Sequence, residues 1–302
     1  MVLPIILKAK SVGSIWINKY LNHEGRVGKV VNVFSRTVNI RTSGDELVTV
    51  TTLWYRSPIY INCEPLLGFN FQRYVRVGDE IVVKNSKVII GDYVCIEVGK
   101  ETPQYTPIAL NLSRNDLRFE NIEYKHLNQL LKKVWFIILI MDLKDSIYDL
   151  MTKNIYLRNQ VTKVKGLLRR YVKGSVSKDV VVSELSKLLG AGAGFTPSSD
   201  DYLSGLLGFF NIYLIKYGVA EPIYIPLKVL DERTTWVSSR LINYSQHGFF
   251  IEPLDEAVTA LLKGDLDLLY DSFLKLLSVG HTSGLDTFLG VIDSVMVLQK
   301  RW

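Results

Sequence analysis

Residues 27–53 read VGKVVNVFSRTVNIRTSGDELVTVTTL. Three short runs in this stretch, at residues 27–33, 37–40 and 47–53, are rich in β-branched side chains, which favour strands. Ser43-Gly44-Asp45 separates the second run from the third and is a typical turn sequence. The stretch therefore predicts consecutive β-strands joined by tight turns.

The same pattern continues to about residue 110. Further runs of this kind occupy residues 59–63, 80–83, 87–90 and 93–98, and glycine-aspartate turns stand before the second and the fourth of them. Many short strands at regular spacing are typical of a barrel or a sandwich. We therefore expect an antiparallel β barrel or sandwich-like domain in the N-terminal part of the chain.

The pattern changes after Pro107, because no further proline occurs before Pro197. Apolar residues then recur with helical spacing. Helices are predicted near residues 124–141, 179–189, 202–216, 235–247, 255–262, 266–278 and 285–298. Strands and helices do not alternate, which disfavours a doubly wound parallel sheet. We expect an α+β fold, with a β-rich domain over residues 1–112 and a mainly helical domain over residues 113–302.

The composition and the lengths of the apolar runs exclude several classes of protein. The 302 residues carry a net charge of +6, and 48% of them are hydrophobic. Mean hydropathy is +0.15, yet the longest unbroken apolar run, residues 134–141, is far shorter than the roughly 20 residues of a membrane span. The N-terminus lacks the features of a signal peptide, and two cysteines are too few for a disulfide framework or a zinc site. We expect a cytoplasmic protein without a bound metal or cofactor.

Residues 152–178 contain lysines and arginines but no acidic residue. The apolar residues of this segment follow helical spacing, which predicts one amphipathic helix with a basic outer face. Such a face is either simply solvated or a surface for an anion or a partner protein. Nucleic acid is disfavoured, because few aromatic residues lie between the basic ones.

Residues 190–201 read GAGAGFTPSSDD and precede a strongly apolar helix. No lysine follows the glycines as in a P-loop, and Phe195 stands where a dinucleotide-binding fingerprint needs glycine. Alternating glycines suit a backbone that approaches a ligand closely. The candidate residues are Gly192, Gly194, Thr196, Ser198 and Ser199, with the carboxylates of Asp200 and Asp201. Helix capping by Ser198 and Asp201 is the structural alternative.

Residues 280–286 read GHTSGLD and also precede an apolar helix. The spacing Ser-x-x-Asp-x-x-x-Gly begins at Ser198 and again at Ser283, 85 residues later. A glycine one turn into each helix would let the helices cross closely, so we hypothesise one pseudo-symmetric site for an anionic ligand at both N-termini. Two unrelated capped helices are the alternative. The candidate residues in this segment are His281, Thr282, Ser283, Gly284 and Asp286.

A third segment, residues 233–240, reads RTTWVSSR. Thr235 is suited to cap a helix, and Ser238 lies on the same face of its first turn. Arg233 is suited to hold a carboxylate or phosphate with two parallel hydrogen bonds. A capped helix with a surface arginine explains the same spacing. We take Arg233, Thr235 and Ser238 as candidate ligand-binding residues.

Together these segments resemble the motifs of a known family. GAGAGFTPSSDDYLSGLL is similar to its glycine-rich GLTPSGDD-type motif, and RTTWVSSRLI and GHTSGLDTFLG are similar to its second and third motifs, in the same order. This is the AllH-like family, which includes the small subunit associated with oxamate carbamoyltransferase in anaerobic allantoin breakdown. The resemblance covers mostly residues 185–295, and Ser199 stands where the family usually has glycine.

The resemblance implies carbamoyl-group transfer or the handling of carbamoyl phosphate, together with other carbamoyltransferase subunits. The implied ligand is a small anion: phosphate, carbamoyl phosphate or a carboxylate such as oxamate. In this chemistry His281 is the candidate for proton transfer, and Asp200 or Asp201 orients it or the amide. We expect partner chains but neither a membrane nor a nucleic acid.

Two other functions compete with this one. The first is a non-catalytic anion-binding or scaffold subunit, whose β domain and basic helix dock partner chains. The second is a metal-dependent hydrolase that uses Asp200, Asp201, Asp286 and His281. No HExxH or His-x-His spacing supports the second.

Overall fold

A computed structural model describes residues 4–141 and 144–299 of the chain. The chain divides into two compact units between Pro107 and Ile108. Each unit has its own arrangement of elements and is described separately. None of the helices within the described residues is both long and apolar enough to cross a membrane.

The first unit is a β barrel. Its strands are β1 Ile5–Gly13, β2 Gly25–Val33, β3 Thr37–Thr42, β4 Leu47–Thr51, β5 Tyr60–Cys63, β6 Glu80–Lys84, β7 Lys87–Ile90, β8 Val94–Glu97 and β9 Gln104–Tyr105, with a short helix α1 Ser14–Trp16 between β1 and β2. The strand order is β5-β4-β3-β2-β6-β7-β8-β1-β9, and an additional β1–β5 pairing closes the first eight positions into a barrel. The expected α+β class with an N-terminal barrel is confirmed.

The barrel is mainly but not wholly antiparallel. β1 runs parallel to β8, and β4 runs parallel to β5. The first of these pairings involves β1, which the sequence pattern did not reveal as a strand. Its first half pairs with β8, and its second half pairs with β5 from Ala9 onward, with a register shift between Ala9 and Ser11. One strand thereby closes the barrel by joining two neighbours of opposite direction.

The second unit is helical. Its helices are α2 Ile108–Asn111, α3 Tyr124–Ile140, α4 Ile147–Lys153, α5 Ile155–Val172, α6 Lys178–Leu185, α7 Ser198–Tyr217, α8 Leu227–Arg233, α9 Trp236–Gln246, α10 Glu252–Lys263, α11 Leu266–Leu276 and α12 Ser283–Leu298. All seven predicted helices are present, with ends that differ by up to four residues. The helices α7 and α12 are the most apolar, are buried on nearly all sides and pack against each other at the centre of this unit.

The basic segment is not one helix. Asn154 interrupts it between α4 and α5, and the Asn154 side chain caps α5 by accepting a hydrogen bond from Leu157 N at 3.1 Å. Several of its cations pair with acids that are distant in sequence: Lys163 with Glu184 at 3.0 Å, and Lys165 with Asp293 at 2.5 Å. The folded unit therefore neutralises part of a face that looks uniformly basic in the sequence.

Candidate functional site

The site begins where α7 and α12 cross. A Cβ atom on Gly205 would lie 1.8 Å from the carbonyl oxygen of Thr287, and one on Gly290 would lie 2.0 Å from the carbonyl oxygen of Tyr202. Only glycine allows the two backbones to approach this closely. The contact is reciprocal, since Tyr202 and Thr287 hold equivalent positions in the repeated spacing. The predicted close crossing of the two helices is confirmed.

The crossing brings the first turns of both helices within hydrogen-bonding reach. The hydroxyls of Thr196 and Ser283 lie 3.3 Å apart. Each helix also places its serine beside the aspartate of the other, because Ser283 bonds the Asp201 carboxyl and Ser198 lies against the Asp286 carboxyl. The two motifs therefore form one junction.

The glycine-rich loop folds back over the start of α7. Ala191 N donates to the Ser199 hydroxyl at 2.8 Å, and Ser199 N donates to the Ala191 carbonyl at 3.0 Å. Gly192 has a φ of +126°, and a Cβ atom on it would lie 2.6 Å from Ser198 N. These contacts fix the base of the loop, whereas residues 192–195 at its tip are exposed.

This fold of the loop changes the expected anion site. Most N–H groups in the first turn of α7 are already bonded, since Ser199 N donates to Ala191 and the N–H groups of Asp200 and Asp201 donate to the Pro197 carbonyl. The N–H groups of Gly192, Ala193 and Gly194 donate to no residue in the described part of the chain. Free backbone donors thus lie mainly at the loop tip, whereas in the first turn of α7 only the Ser198 N–H donates to no described residue.

Asp200 fastens the loop to α9. This buried carboxylate accepts hydrogen bonds from Gly190 N at 2.9 Å, from the Ser238 hydroxyl at 2.7 Å and from the Thr234 hydroxyl. Burial raises the pKa of Asp200, and these three donors oppose the shift. The Asp200 carboxylate therefore has structural partners on both oxygens.

The third segment joins the junction through α9. Thr235 caps this helix by accepting a hydrogen bond from Ser238 N at 3.1 Å, and its hydroxyl donates to the Phe195 carbonyl at 2.7 Å. All three sequence motifs are therefore tied together by hydrogen bonds. Arg233 is exposed at the end of α8, and its carbonyl oxygen would lie 2.5 Å from a Cβ atom on Gly190.

Asp201 and Asp286 differ sharply from Asp200. Burial raises the pKa of Asp201 to about 8, with a contribution from the charge of Asp286, while the hydroxyls of Ser283 and Thr196 oppose the shift. Burial also raises the pKa of Asp286 to about 7, against the effect of a hydrogen bond from Ile147 N at 2.8 Å. The Oδ2 atom of each aspartate is shielded from solvent and has no hydrogen-bond partner among the described residues.

The other predicted residues of the GHTSG segment have varied settings. His281 is exposed and makes no hydrogen bond or ion pair with the described part of the chain. Thr282 precedes α12, and its side chain makes no capping bond to the described helix. Gly284 is buried against the end of α11, where a Cβ atom would lie 1.7 Å from the Leu276 carbonyl oxygen.

Sequence reasoning missed the start of α4 as a further element of the junction. Ser198 donates its hydroxyl proton to the Asp145 carbonyl at 2.5 Å, and Ile147 N donates to Asp286. The sequence does contain a signal for the start of α4, because Ser146 and Asp149 repeat the Ser-x-x-Asp spacing of α7 and α12. Ser146 caps α4 by accepting a hydrogen bond from Asp149 N at 3.2 Å.

No group of three or more His, Cys, Asp or Glu side chains in residues 4–141 and 144–299 is arranged to hold a metal ion. The four residues of the hydrolase alternative therefore do not form such a group. A cavity of about 490 Å³ lies elsewhere in the helical unit, lined in part by Phe119, Glu120, Tyr124 and Tyr213, and includes none of the predicted site residues.

Comparison with known families agrees with this architecture. A family model described as "Oxamate carbamoyltransferase subunit AllH" matches residues 188–295, which contain all three motifs. A second model, described as the AllH family N-terminal domain, matches residues 8–104, which form most of the barrel. No solved structure matches the chain. The two matches together span most of the sequence, and the chain belongs to the AllH family.

Proposed function

We propose that this chain is a subunit of a carbamoyltransferase that handles carbamoyl phosphate and an amide-bearing carboxylate such as oxamate. The ligand binds at the junction of α7, α9 and α12. The observation that carries this proposal is the convergence of the three motifs around two carboxyl groups that each keep one solvent-shielded oxygen without a described partner. Family membership supplies the reaction class.

The two ligands share a chemical layout that the junction matches. Carbamoyl phosphate and oxamate each join an anionic group to a neutral amide-type nitrogen. The exposed N–H groups of Gly192 and Gly194 and the exposed Arg233 suit the anionic end. The carboxyls of Asp201 and Asp286 suit the nitrogen end, because an anion placed directly on them would be repelled.

The residues take different parts in this proposal. Asp200 and Ser199 position the loop, since their side chains bond its backbone. Asp201 and Asp286 contact the ligand, and pKa values of about 8 and 7 suit groups that exchange a proton near neutral pH. His281 is exposed beside the junction and transfers a proton to or from the reacting amide in the assembled enzyme.

Partner subunits complete the enzyme in this proposal. The end of α3 supports it, because Phe136, Leu139 and Ile140 are each about two-thirds exposed or more, at 66%, 69% and 72%. Large apolar side chains grouped on one exposed helix end are typical of a protein interface. The exposed His281 also fits a site that another chain covers.

Ligand binding is the first test. Carbamoyl phosphate and oxamate should raise the melting temperature of the purified chain or of its complex, by the equivalent of about 2.7 kcal/mol at 100 times Kd. A nucleotide of similar charge serves as the control and should not. If neither carbamoyl phosphate nor oxamate stabilises the chain or the complex, the proposed site is wrong.

Catalysis is the second test. His281→Ala should lower the turnover of the assembled carbamoyltransferase about 100-fold, the usual loss when a general acid or base is removed. His126→Ala is the matched control, because His126 is an exposed histidine on α3 and should leave turnover unchanged. Unchanged turnover in His281→Ala would remove the proton-transfer role.

A scaffold subunit is the second candidate function. The observation that favours it is the full structural use of Asp200 and Ser199, together with the absence of a described partner for His281. Substitution of Asp201 and His281 separates the two candidates. A scaffold would keep the activity of the complex intact in both variants, provided that the subunits still assemble.

A further inference from the structure

We infer that the Oδ2 atoms of Asp201 and Asp286 accept hydrogen bonds from the –NH₂ group of a neutral primary amide or carbamoyl ligand. This inference rests on the proposed function for the position of the ligand. It goes further by assigning which end of the ligand lies between α7 and α12 and which atoms recognise it.

The first step is the state of Asp286. This residue is completely buried, and its Oδ1 atom accepts the hydrogen bond from Ile147 N. Two hydroxyls lie beside this carboxyl: that of Ser198 donates its only proton to the Asp145 carbonyl, and that of Thr282 makes no hydrogen bond to Oδ2. The Oδ2 atom is left without a donor from the described chain. A buried acceptor in this state is costly and needs an explanation.

The second step is the repetition of this state on the facing helix. Asp201 occupies the equivalent position in α7, and its Oδ2 atom is also shielded and without a described partner. The hydroxyls of Thr196 and Ser283, which lie 3.3 Å apart, are beside this carboxyl, and neither makes a hydrogen bond to Oδ2. Two unsatisfied acceptors thus lie in the first turns of two helices that touch through glycine, close enough for the charge of Asp286 to act on Asp201.

The third step is the chemistry that two such acceptors demand. An amide –NH₂ group carries two N–H donors and no charge, so it serves both oxygens. Phosphate and carboxylate oxygens offer no donor and add negative charge. A neutral donor also tolerates carboxyls whose pKa values are raised, because it needs neither of them to be fully ionised. The anionic end of the ligand then lies toward the loop tip.

The amide end of the ligand needs a path to these atoms. Both Oδ2 atoms are shielded from solvent, so it enters only when part of the junction moves. The exposed tip, residues 192–195, contains two glycines with positive φ and lies between the anchors at Ala191 and Thr196. The tip is therefore the part of the junction that is suited to open.

Two pairs of ligands of equal shape test the inference. Pyruvate is oxamate with a methyl group in place of –NH₂, and acetyl phosphate is carbamoyl phosphate with the same replacement. Calorimetric titration of the purified chain, and of its complex with partner subunits, should show the methyl member of each pair binding about tenfold or more weakly. A site built to bond an N–H group rejects the analogue that lacks it.

Substitutions then locate the effect. Asp201→Asn and Asp286→Asn should each reduce the preference for the –NH₂ ligand to about threefold or less. Asp255→Asn is the matched control, because Asp255 is a buried carboxylate that is occupied by Ile108 N and Ala109 N at 2.6 and 2.9 Å. It should leave the preference unchanged.

The outcomes are separable. Equal affinity for the methyl and –NH₂ members in the wild-type protein would overturn the inference and indicate that water fills the gap, while the proposed binding site would stand. Competition of oxamate by ammonium or Mg²⁺ would also overturn it, in favour of a cation. Failure of all four ligands to bind the chain and the complex would instead remove the proposed function itself.

Discussion

The two halves of α7 bury polar side chains in opposite ways. In the middle of the helix, Asn211 is completely buried, and its amide donates to the carbonyls of Ile223 and Gln246 at 2.7 and 2.9 Å and accepts from Ile223 N at 2.8 Å. In the first turn, Asp201 keeps an oxygen with no partner from the described chain.

The difference separates architecture from function within one helix. A buried group that is fully bonded stabilises the packing around it. A buried group that lacks a partner costs stability and persists where something other than folding requires it. The middle of α7 therefore holds neighbouring segments together, and its first turn is where we propose that the ligand binds.

The largest effect should come from separating the two helices. Gly205→Ala or Gly290→Ala would drive a methyl group into a backbone carbonyl at about 2 Å. We expect either variant to lose more than about 4 kcal/mol in the free energy of unfolding, measured by urea denaturation. Gly166→Ala on α5 is the control, because no atom lies within 4 Å of the added methyl. It should gain up to about 1 kcal/mol. Equal behaviour of the two kinds of variant would contradict the close crossing.

The next largest effect should follow removal of the Asn211 side-chain amide, which has hydrogen-bond partners on both its nitrogen and its oxygen. Asn211→Leu would leave Ile223 N and two carbonyl oxygens buried without partners. We expect a loss of about 3 kcal/mol in the free energy of unfolding. Asn243→Leu on α9 is the comparison, since this residue is partly exposed. A loss below about 1 kcal/mol for Asn211→Leu would contradict the distinction between a fully bonded middle and an incompletely bonded first turn of α7.

The two units differ in how much of their structure could be predicted from the sequence. β-branched runs and turns predict a barrel, but not the strand β1 or its parallel pairing, because the closing contact joins Ile5–Gly13 to strands far along the chain. Local patterns do not specify which distant strand becomes a neighbour. The repeated Ser-x-x-Asp-x-x-x-Gly spacing, in contrast, predicts the crossing of α7 and α12, because it depends only on helical geometry.

The site shows the same limit at a finer scale. Asp200 and Asp201 are adjacent and look equivalent in the sequence. Successive residues point about 100° apart around a helix, so Asp200 meets the loop and α9, while Asp201 meets α12. Only the tertiary structure reveals which of two neighbouring carboxylates is already occupied. The start of α4 is the exception, because its Ser-x-x-Asp spacing is visible in the sequence.

A smaller effect of opposite sign, a gain in stability, should follow substitution of Asp201 or Asp286, whose Oδ2 atoms lack a described partner. Asp201→Asn and Asp286→Asn should be more stable than the wild type at pH 9, by about 1 kcal/mol or more, and the difference should shrink toward pH 6. The raised pKa values, about 8 and 7, mean that the folded state keeps protons that the unfolded state has released. Wild-type stability therefore falls as the pH rises from about 4 through 8.

Melting temperatures across pH 5–9 measure this effect. Asp149→Asn is the control, because Lys153 lowers the pKa of Asp149 and this carboxyl does not titrate in that range. Its difference from the wild type should be constant from pH 6 to pH 9. A constant difference for Asp201→Asn as well would mean that its carboxyl ionises normally and has a partner after all.

The smallest effect should come from a carboxylate whose partners are complete. Glu184 accepts hydrogen bonds from Gln160, Lys187 and Lys163, which lower its pKa to about 2. Here the folded state releases a proton that the unfolded state holds, so the contribution is present above about pH 4.5 and is lost as the pH falls toward 2. Glu184→Gln should therefore lose less than about 1 kcal/mol in the free energy of unfolding at pH 7, because the two lysines are largely exposed. The loss should shrink in acid and in high salt.

Asp201→Asn and Glu184→Gln thus remove the same kind of charge and should shift the melting temperature in opposite directions. If Glu184→Gln stabilised the protein at pH 9 as Asp201→Asn is expected to do, the assignment of partners to the two carboxyls would be wrong.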